Sequence, residues 1–186
     1  MVPLPTIRAH NATLSSLPPN LVAVFVGGTS GISHYTALSL ARSVPSPKIY
    51  LIGRNAAEAS KITSELKAIN PSSTISFIKS DVSLLRNVDK VCDEIKAKEK
   101  EVNLLFMTAG YLSLQGRTET EEGLDRRFAL HYYARARFIH NLSPSSPPPP
   151  LPPPHPSPAS SPSTTQTSVT PPRSTSQTPR SRRRSV

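Results

Sequence analysis

The sequence is poor in cysteine and in long hydrophobic runs. Cys92 is the only cysteine among the 186 residues, so no intramolecular disulfide can form and a reducing compartment is expected. No run approaches the roughly 20 apolar residues of a membrane-spanning helix, and the first residues lack the apolar core of a signal peptide. These absences predict a cytoplasmic protein with no membrane association.

Residues 143–186 contain no acidic residue, no lysine and almost no apolar side chains. Fourteen of the 21 prolines lie there, together with arginines that carry half of the net charge of +10. Such a Pro/Ser/Arg-rich composition cannot offset the entropy cost of folding, so we predict a disordered tail. Because much of the basic excess belongs to this tail, nucleic-acid binding by the folded part, residues 1–142, is not expected.

Two interpretations of the tail stay open. The stretch "PPPPLPPPHP" favours polyproline II and resembles ligands of proline-recognition domains, which would make such a domain a partner. Alternatively, the tail is a frameshift or mis-splicing product. It begins after Asn141-Leu142, and leucine codons of the CTN type read out of frame yield serine or proline in C-rich DNA.

Between the N-terminus and the tail, apolar runs alternate with helical patterns. Within residues 1–142, residues 1–20 are predicted to be an N-terminal extension with a short helix near 6–17, and residues 21–142 are predicted to be a partial dinucleotide-binding (Rossmann) domain. Strands are predicted at 21–26, 48–53, 74–80 and 102–110, and helices at 32–44, 59–69, 84–95 and 124–142. This order predicts an α/β fold, a Rossmann-like doubly wound parallel sheet truncated after about four strands.

The stretch "VGGTSGIS" places a glycine-rich turn between the first strand and its helix. Such a turn lets a phosphate approach the backbone closely, and the helix N-terminus favours the anion. No Gly-Lys-Ser/Thr follows, which excludes the phosphate loop of nucleoside triphosphatases. The alternative is a turn that binds no ligand. The candidate pyrophosphate site consists of Gly27, Gly28, Thr29, Ser30, Gly31 and Ile32.

Five segments in order resemble the short-chain dehydrogenase/reductase family, with most likeness to its fungal oxidoreductases. The glycine turn resembles T-G-x-x-x-G-I-G, "LIGRN" resembles the end of the second strand, and "KSDVS" contains the Asp-Val pair. "MTAG" resembles N-N-A-G after the fourth strand, and "TETEEGLDRRFALHYYARARFI" resembles the helix T-x-D-G-x-E-x-x-F-x-x-N-x-x-G. The resemblance covers about residues 21–142, the cofactor-binding part of the family.

The resemblance implies an NAD(P)-dependent oxidoreductase acting on a small carbonyl or alcohol substrate. It places the adenosine of the cofactor near Arg54, Asp81 and Val82, and it adds Ala109 and Gly110 to the site. Arg54 stands where the family usually carries the acidic residue that holds the ribose of NAD. Because a guanidinium pairs with a 2′-phosphate, NADP is the expected cofactor, with NAD as the alternative.

Several residues depart from the family pattern. Val26 replaces a threonine, which predicts a looser link between the glycine turn and the fourth strand, and Ser33 replaces the last glycine, which predicts weakened binding. Met107 and Thr108 replace the two asparagines of the fourth-strand segment. His131 replaces the asparagine of the last helix, where an ordinary polar residue on a helix face is favoured over a proton-relay role.

The family's catalytic Tyr-x-x-x-Lys is absent. None of the tyrosines (35, 50, 111, 132 and 133) is followed four residues later by lysine. No catalytic residue is therefore predicted. The five histidines show no metal-ligand spacing, so no metal site is predicted either. The chain on its own is expected to lack reductase activity. The alternative function is a non-catalytic dinucleotide-binding module whose proline-rich tail binds partners.

Three further expectations concern packing. Cys92, on an apolar helical stripe, is predicted to pack in the core, and the acidic cluster Glu119, Glu121, Glu122 and Asp125 is predicted to be structural. Half of a parallel sheet leaves apolar surface uncovered, so we expect a marginally stable chain that associates. The residues expected to be poorly covered are Phe128, Phe138, Ile139 and Leu142.

Overall fold

The computed structural model describes residues 2–111 and 116–143. The strands are β1 (Val22–Val26), β2 (Lys48–Gly53), β3 (Thr74–Lys79) and β4 (Leu104–Met107). The helices are α1 (Leu4–Thr13), α2 (Gly31–Ser43), α3 (Ala56–Ile69), α4 (Leu85–Lys98), α5 (Arg126–Phe128) and α6 (Ala134–Leu142). A 3₁₀ turn, Leu14–Ser16, follows α1, and a π-helical segment, Ala129–Tyr133, joins α5 to α6. The predicted disordered tail lies outside the described residues.

The strands form one parallel sheet in the order β3-β2-β1-β4. The predicted parallel, Rossmann-like α/β fold is therefore confirmed. β4 is shorter than predicted, because the N–H groups of Thr108 and Ala109 both donate to the carbonyl of Val26, at 2.9 and 3.1 Å. This shared acceptor ends the regular ladder with β1 at Met107. No helix in the described part of the chain is long and apolar enough to cross a membrane.

β1 lies between β2 and β4 in the sheet, and both of its faces are covered. Val22, Val24 and Val26 pack into one apolar cluster, whereas Ala23 and Phe25 pack into a second cluster on the opposite face. All five residues are buried. Burial on both faces explains why the strand is a continuous apolar run rather than an alternating one.

The flanking helices cover these two clusters with apolar stripes. α4 contributes Val88, Val91, Cys92 and Ile95 to the cluster around Val22, and Cys92 is fully buried, which confirms its predicted packing role. Burial raises the pKa of the Cys92 thiol to about 11, which makes it a poor nucleophile. α1, in contrast, buries none of its side chains.

The prediction for Phe138 is wrong. Its side chain is fully buried in the cluster that contains the α4 stripe, because α6 packs against α4. Arg137 of α6 reinforces this contact by donating to Asp89 of α4 at 2.7 Å. Phe128 and Ile139 are 64% and 50% exposed, as predicted, whereas Leu142 is partly buried and packs against the same cluster as Phe138.

Candidate functional site

A cavity of about 630 Å³ opens at the carboxyl ends of the strands. This edge of a parallel sheet is where ligands bind in open α/β folds. Its wall brings together the four segments that follow the strands and the region from residue 118 to residue 130. Ten of the eleven predicted site residues line it: Gly27, Thr29, Ser30, Gly31, Ile32, Arg54, Asp81, Val82, Ala109 and Gly110.

Gly28 is the predicted site residue that the cavity wall does not include. A Cβ at Gly28 would stand 3.0 Å from Leu51 Cδ2 and 3.1 Å from Phe25 Cβ. The residue therefore faces the apolar cluster between the sheet and α2 and α3 rather than the cavity. Its small size serves packing of the turn onto β1 and β2.

Gly27 brings the turn against the segment that follows β4. Its φ is +84°, and a Cβ there would stand 2.7 Å from the amide nitrogen and 2.9 Å from the Cα of Ala109. The Gly27 amide donates to the carbonyl of Ile52 at 2.9 Å. Only glycine combines this backbone angle with this close approach.

Gly31, the first residue of α2, faces open space. Its φ is +58°, and a Cβ built there meets nothing within 4 Å. Ser30 precedes it in extended conformation and makes no side-chain cap hydrogen bond to the first turn of α2. An uncapped helix N-terminus beside open space fits an anionic group such as a pyrophosphate.

Two of the departures from the family pattern are joined in the structure. The hydroxyl oxygens of Ser33 and Thr108 lie 2.7 Å apart, and the Thr108 hydroxyl also donates to the Gly27 carbonyl at 3.4 Å. Ser33 is fully buried. Beside the looser link predicted from Val26, the structure thus has a different link between α2, the glycine turn and the segment after β4.

Asp81 and Val82 line the part of the cavity that follows β3. Asp81 accepts a hydrogen bond from the Ser83 amide at 3.0 Å. Burial opposes ionisation of Asp81, but this hydrogen bond and the nearby guanidinium groups of Arg54 and Arg126 outweigh it, so its pKa lies below the usual value. The carboxylate can therefore accept a hydrogen bond from a ligand at neutral pH.

The cavity also contains residues that sequence reasoning missed, above all Tyr111, Thr118 and Arg126. The Arg126 amide donates to the carbonyl of Thr118 at 2.8 Å, which brings the start of α5 to the cavity. The Nε atom of Arg126 is buried and has no hydrogen-bond partner among the described residues. The local sequence does not predict that Arg126 lines the cavity. It reaches the cavity because the chain reverses direction between Thr118 and Arg126.

His131 was predicted to be an ordinary polar residue on a helix face, but its imidazole contacts the backbone of Tyr111. Its Nε2 atom lies 3.3 Å from the amide nitrogen and 3.2 Å from the carbonyl oxygen of Tyr111. A Cβ at Gly110 would collide with the imidazole ring. The ring therefore tethers the π-helical segment to the end of the cavity wall that follows β4.

Two residues of the acidic cluster, Glu122 and Asp125, cap helices. The Glu122 carboxylate accepts hydrogen bonds from the Leu85 and Arg86 amides, at 2.7 and 3.1 Å, and thereby caps α4. The Asp125 side chain caps α5 by accepting hydrogen bonds from the amides of Arg127 and Phe128. The structural role predicted for the cluster is confirmed for these two side chains.

Comparison with known proteins adds to this geometry. Residues 21–132 match the family model described as short chain dehydrogenase. Oxidoreductase AN1596 from Emericella nidulans is 54% identical over 144 residues, which cover 77% of this chain and 43% of that protein. Oxidoreductase andH from Emericella variicolor is 43% identical over 77% of this chain and 42% of its own length. The chain thus spans about two-fifths of the length of these relatives.

Solved structures show the same fold. L-sorbose reductase from Gluconobacter frateurii, complexed with NADPH and L-sorbose, superposes with a TM-score of 0.57 at 22% identity, over 67% of this chain and 46% of that one. Levodione reductase gives a TM-score of 0.57 at 19% identity, over 67% of this chain and 48% of that one.

Proposed function

This chain belongs to the short-chain dehydrogenase/reductase family, and we propose that its cavity binds a nicotinamide dinucleotide. The supporting observation is that ten predicted residues from four segments line one cavity at the carboxyl ends of the strands. In the whole protein the cofactor would exchange hydride with the carbonyl or alcohol carbon of a small substrate. This reaction is the oxidoreductase chemistry of the family.

Different residues of the cavity would hold different parts of the cofactor. The first turn of α2 and Gly31 would receive the pyrophosphate, because the helix N-terminus is uncapped by Ser30 and a Cβ at Gly31 would meet only open space. Asp81 and Val82 would hold the adenine, with the ionised carboxylate accepting from its amino group. Arg54 stands beside them at the end of β2.

We expect NADPH to bind more tightly than NADH because of Arg54. A charge-assisted hydrogen bond to phosphate contributes on the order of 1.5 to 3 kcal/mol, which is about tenfold or more in affinity. Arg54→Ala should lower the ratio of the two affinities by about that factor, measured by calorimetric titration with each nucleotide. Arg42→Ala, an exposed arginine at the opposite end of α2, is the control that should leave the ratio unchanged. An Arg54→Ala variant that keeps the full preference for NADPH would contradict the assignment.

We further propose that this chain by itself binds the nucleotide without turning it over. The chain contains no Tyr-x-x-x-Lys, and general acid catalysis typically contributes about 10²- to 10⁴-fold in rate. Absorbance of the reduced nicotinamide, followed with a panel of small ketones and aldehydes, should show no consumption above the uncatalysed rate. Turnover that co-purifies with the chain and disappears in a variant that cannot bind NADPH would overturn this proposal. Binding without turnover is also the property of the alternative function, a non-catalytic nucleotide-binding module.

A further inference from the structure

A second cation stands beside Arg54 at the rim of the cavity. Lys79 is the last residue of β3, and the register pairs it with Gly53, the residue immediately before Arg54. The Ser80 amide donates to the Gly53 carbonyl at 2.9 Å, which fixes the two strand ends side by side. The guanidinium and the ammonium therefore come from adjacent strand ends of one sheet edge.

These two cations border two depressions of different charge. The depression on the α3 side is lined by Thr29, Arg54, Asn55, Ala56 and Lys79, which include two cations and no acid. The depression on the α4 side shares Arg54 and Lys79 but also contains two carboxylates, those of residues 81 and 94. An anion with no counter-ion of its own is favoured on the α3 side, where no carboxylate repels it.

The cations on the α3 side are available to a ligand. Among the described residues no carboxylate oxygen lies within 4.0 Å of the charged nitrogens of Arg54 or Lys79. Glu58, in the first turn of α3, forms its ion pair with Lys61 at 2.8 Å instead. The Asn55 side chain already caps α3 by accepting from two amides, so the side chains rather than the helix amides would bind an anion here.

We propose that Lys79 is a second specificity-determining residue, which together with Arg54 holds the 2′-phosphate of NADP(H) in the depression at the start of α3. The inference rests on the proposed function, because it concerns the same cofactor. A phosphate monoester carries about −1.5 to −2 charge near pH 7, so one guanidinium leaves part of that charge uncompensated. Arg54 supplies a planar pair of donors and Lys79 supplies the second positive charge.

The test compares Lys79→Gln with the wild-type chain in titrations with NADPH and NADH. Lys79→Gln should weaken NADPH binding about threefold to tenfold, the effect of one partly exposed charge pair, and leave NADH binding unchanged. The fragments 2′,5′-ADP and 5′-AMP should repeat this contrast, since they carry the adenosine end without the nicotinamide. Lys79→Arg keeps the charge and should keep the preference. Lys90→Gln removes a cation that lines only the α4-side depression and should have no effect.

The possible outcomes separate the inference from the function on which it rests. If the wild-type chain binds neither nucleotide, the proposed function fails, whatever Lys79 does. If it binds both and Lys79→Gln keeps the preference, or if Lys90→Gln lowers it instead, the role of Lys79 is refuted. Lys79 is exposed, so its variants should fold, and thermal unfolding of each variant verifies this. A loss of preference in Lys79→Arg as large as in Lys79→Gln would also overturn a role based on charge.

Discussion

Replacing Gly31 by aspartate should weaken binding of both NADPH and NADH more than about a hundredfold and leave the chain folded. A side chain at this position meets no protein atom within 4 Å of its Cβ, so it enters the cavity rather than the core. There the carboxylate would stand against the proposed pyrophosphate. Because like charges placed in contact cost several kcal/mol, repulsion dominates the expected loss. Titration with both nucleotides measures it.

The matched control is Gly31→Asn. Asparagine has the shape of aspartate without its charge, and both tolerate the positive φ of +58° better than most residues do. Gly31→Asn should therefore lose less affinity than Gly31→Asp, while the two variants unfold at similar temperatures. If Gly31→Asp binds the nucleotides as the wild type does, the pyrophosphate site has been assigned to the wrong turn.

The second large effect concerns stability. Gly27→Ala should lower the free energy of unfolding by on the order of 3 to 5 kcal/mol, a large part of the total for a domain of this size. The new Cβ would lie 2.7 Å from the backbone nitrogen of Ala109, and backbone cannot move aside as a flexible side chain can. Urea denaturation followed by circular dichroism measures the change. We expect a lower midpoint or no folded baseline.

Gly123→Ala is the control that separates the cost of the Gly27 Cβ collision with Ala109 from the cost of backbone strain. Gly123 has a similar φ of +74°, but a Cβ there meets nothing within 4 Å. Its substitution should cost about 1 kcal/mol, the strain of a non-glycine residue in the left-handed region. Equal losses for Gly27→Ala and Gly123→Ala would mean that the close approach of the glycine turn to Ala109 does not constrain the fold.

Much of the fold could be predicted because its elements have local signatures. Five residues of β1 are buried on both faces and therefore appear as a continuous apolar run, and the stripe of α4 repeats at helical spacing. Packing between elements was less predictable. Phe138 was expected at an uncovered surface, yet α6 lies on α4 and buries it completely. Its neighbour Ile139 remains 50% exposed, since it lies on another face of the same helix.

The candidate site likewise has parts that the sequence predicts and parts that it does not. The glycine turn, Arg54 and the Asp-Val pair are recognisable in the sequence, since each is a short motif directly after a strand. The hydrogen bond between Ser33 and Thr108 joins residues 75 positions apart, and the one from the Leu85 amide to Glu122 spans 37 positions. Such contacts follow from the strand order β3-β2-β1-β4 and from where each loop reverses, which no local period encodes.

The sequence by itself therefore determined which elements form, in what order, and which motifs stand at strand ends. Only the tertiary structure decided which of those ends become neighbours. The sequence does not distinguish Lys79 from the other 21 lysines and arginines. Its proposed role depends on the pairing of β3 with β2, which places it next to Gly53. The physical reason is that local patterns report burial and backbone conformation, whereas a binding site is made by the register of strands distant in sequence.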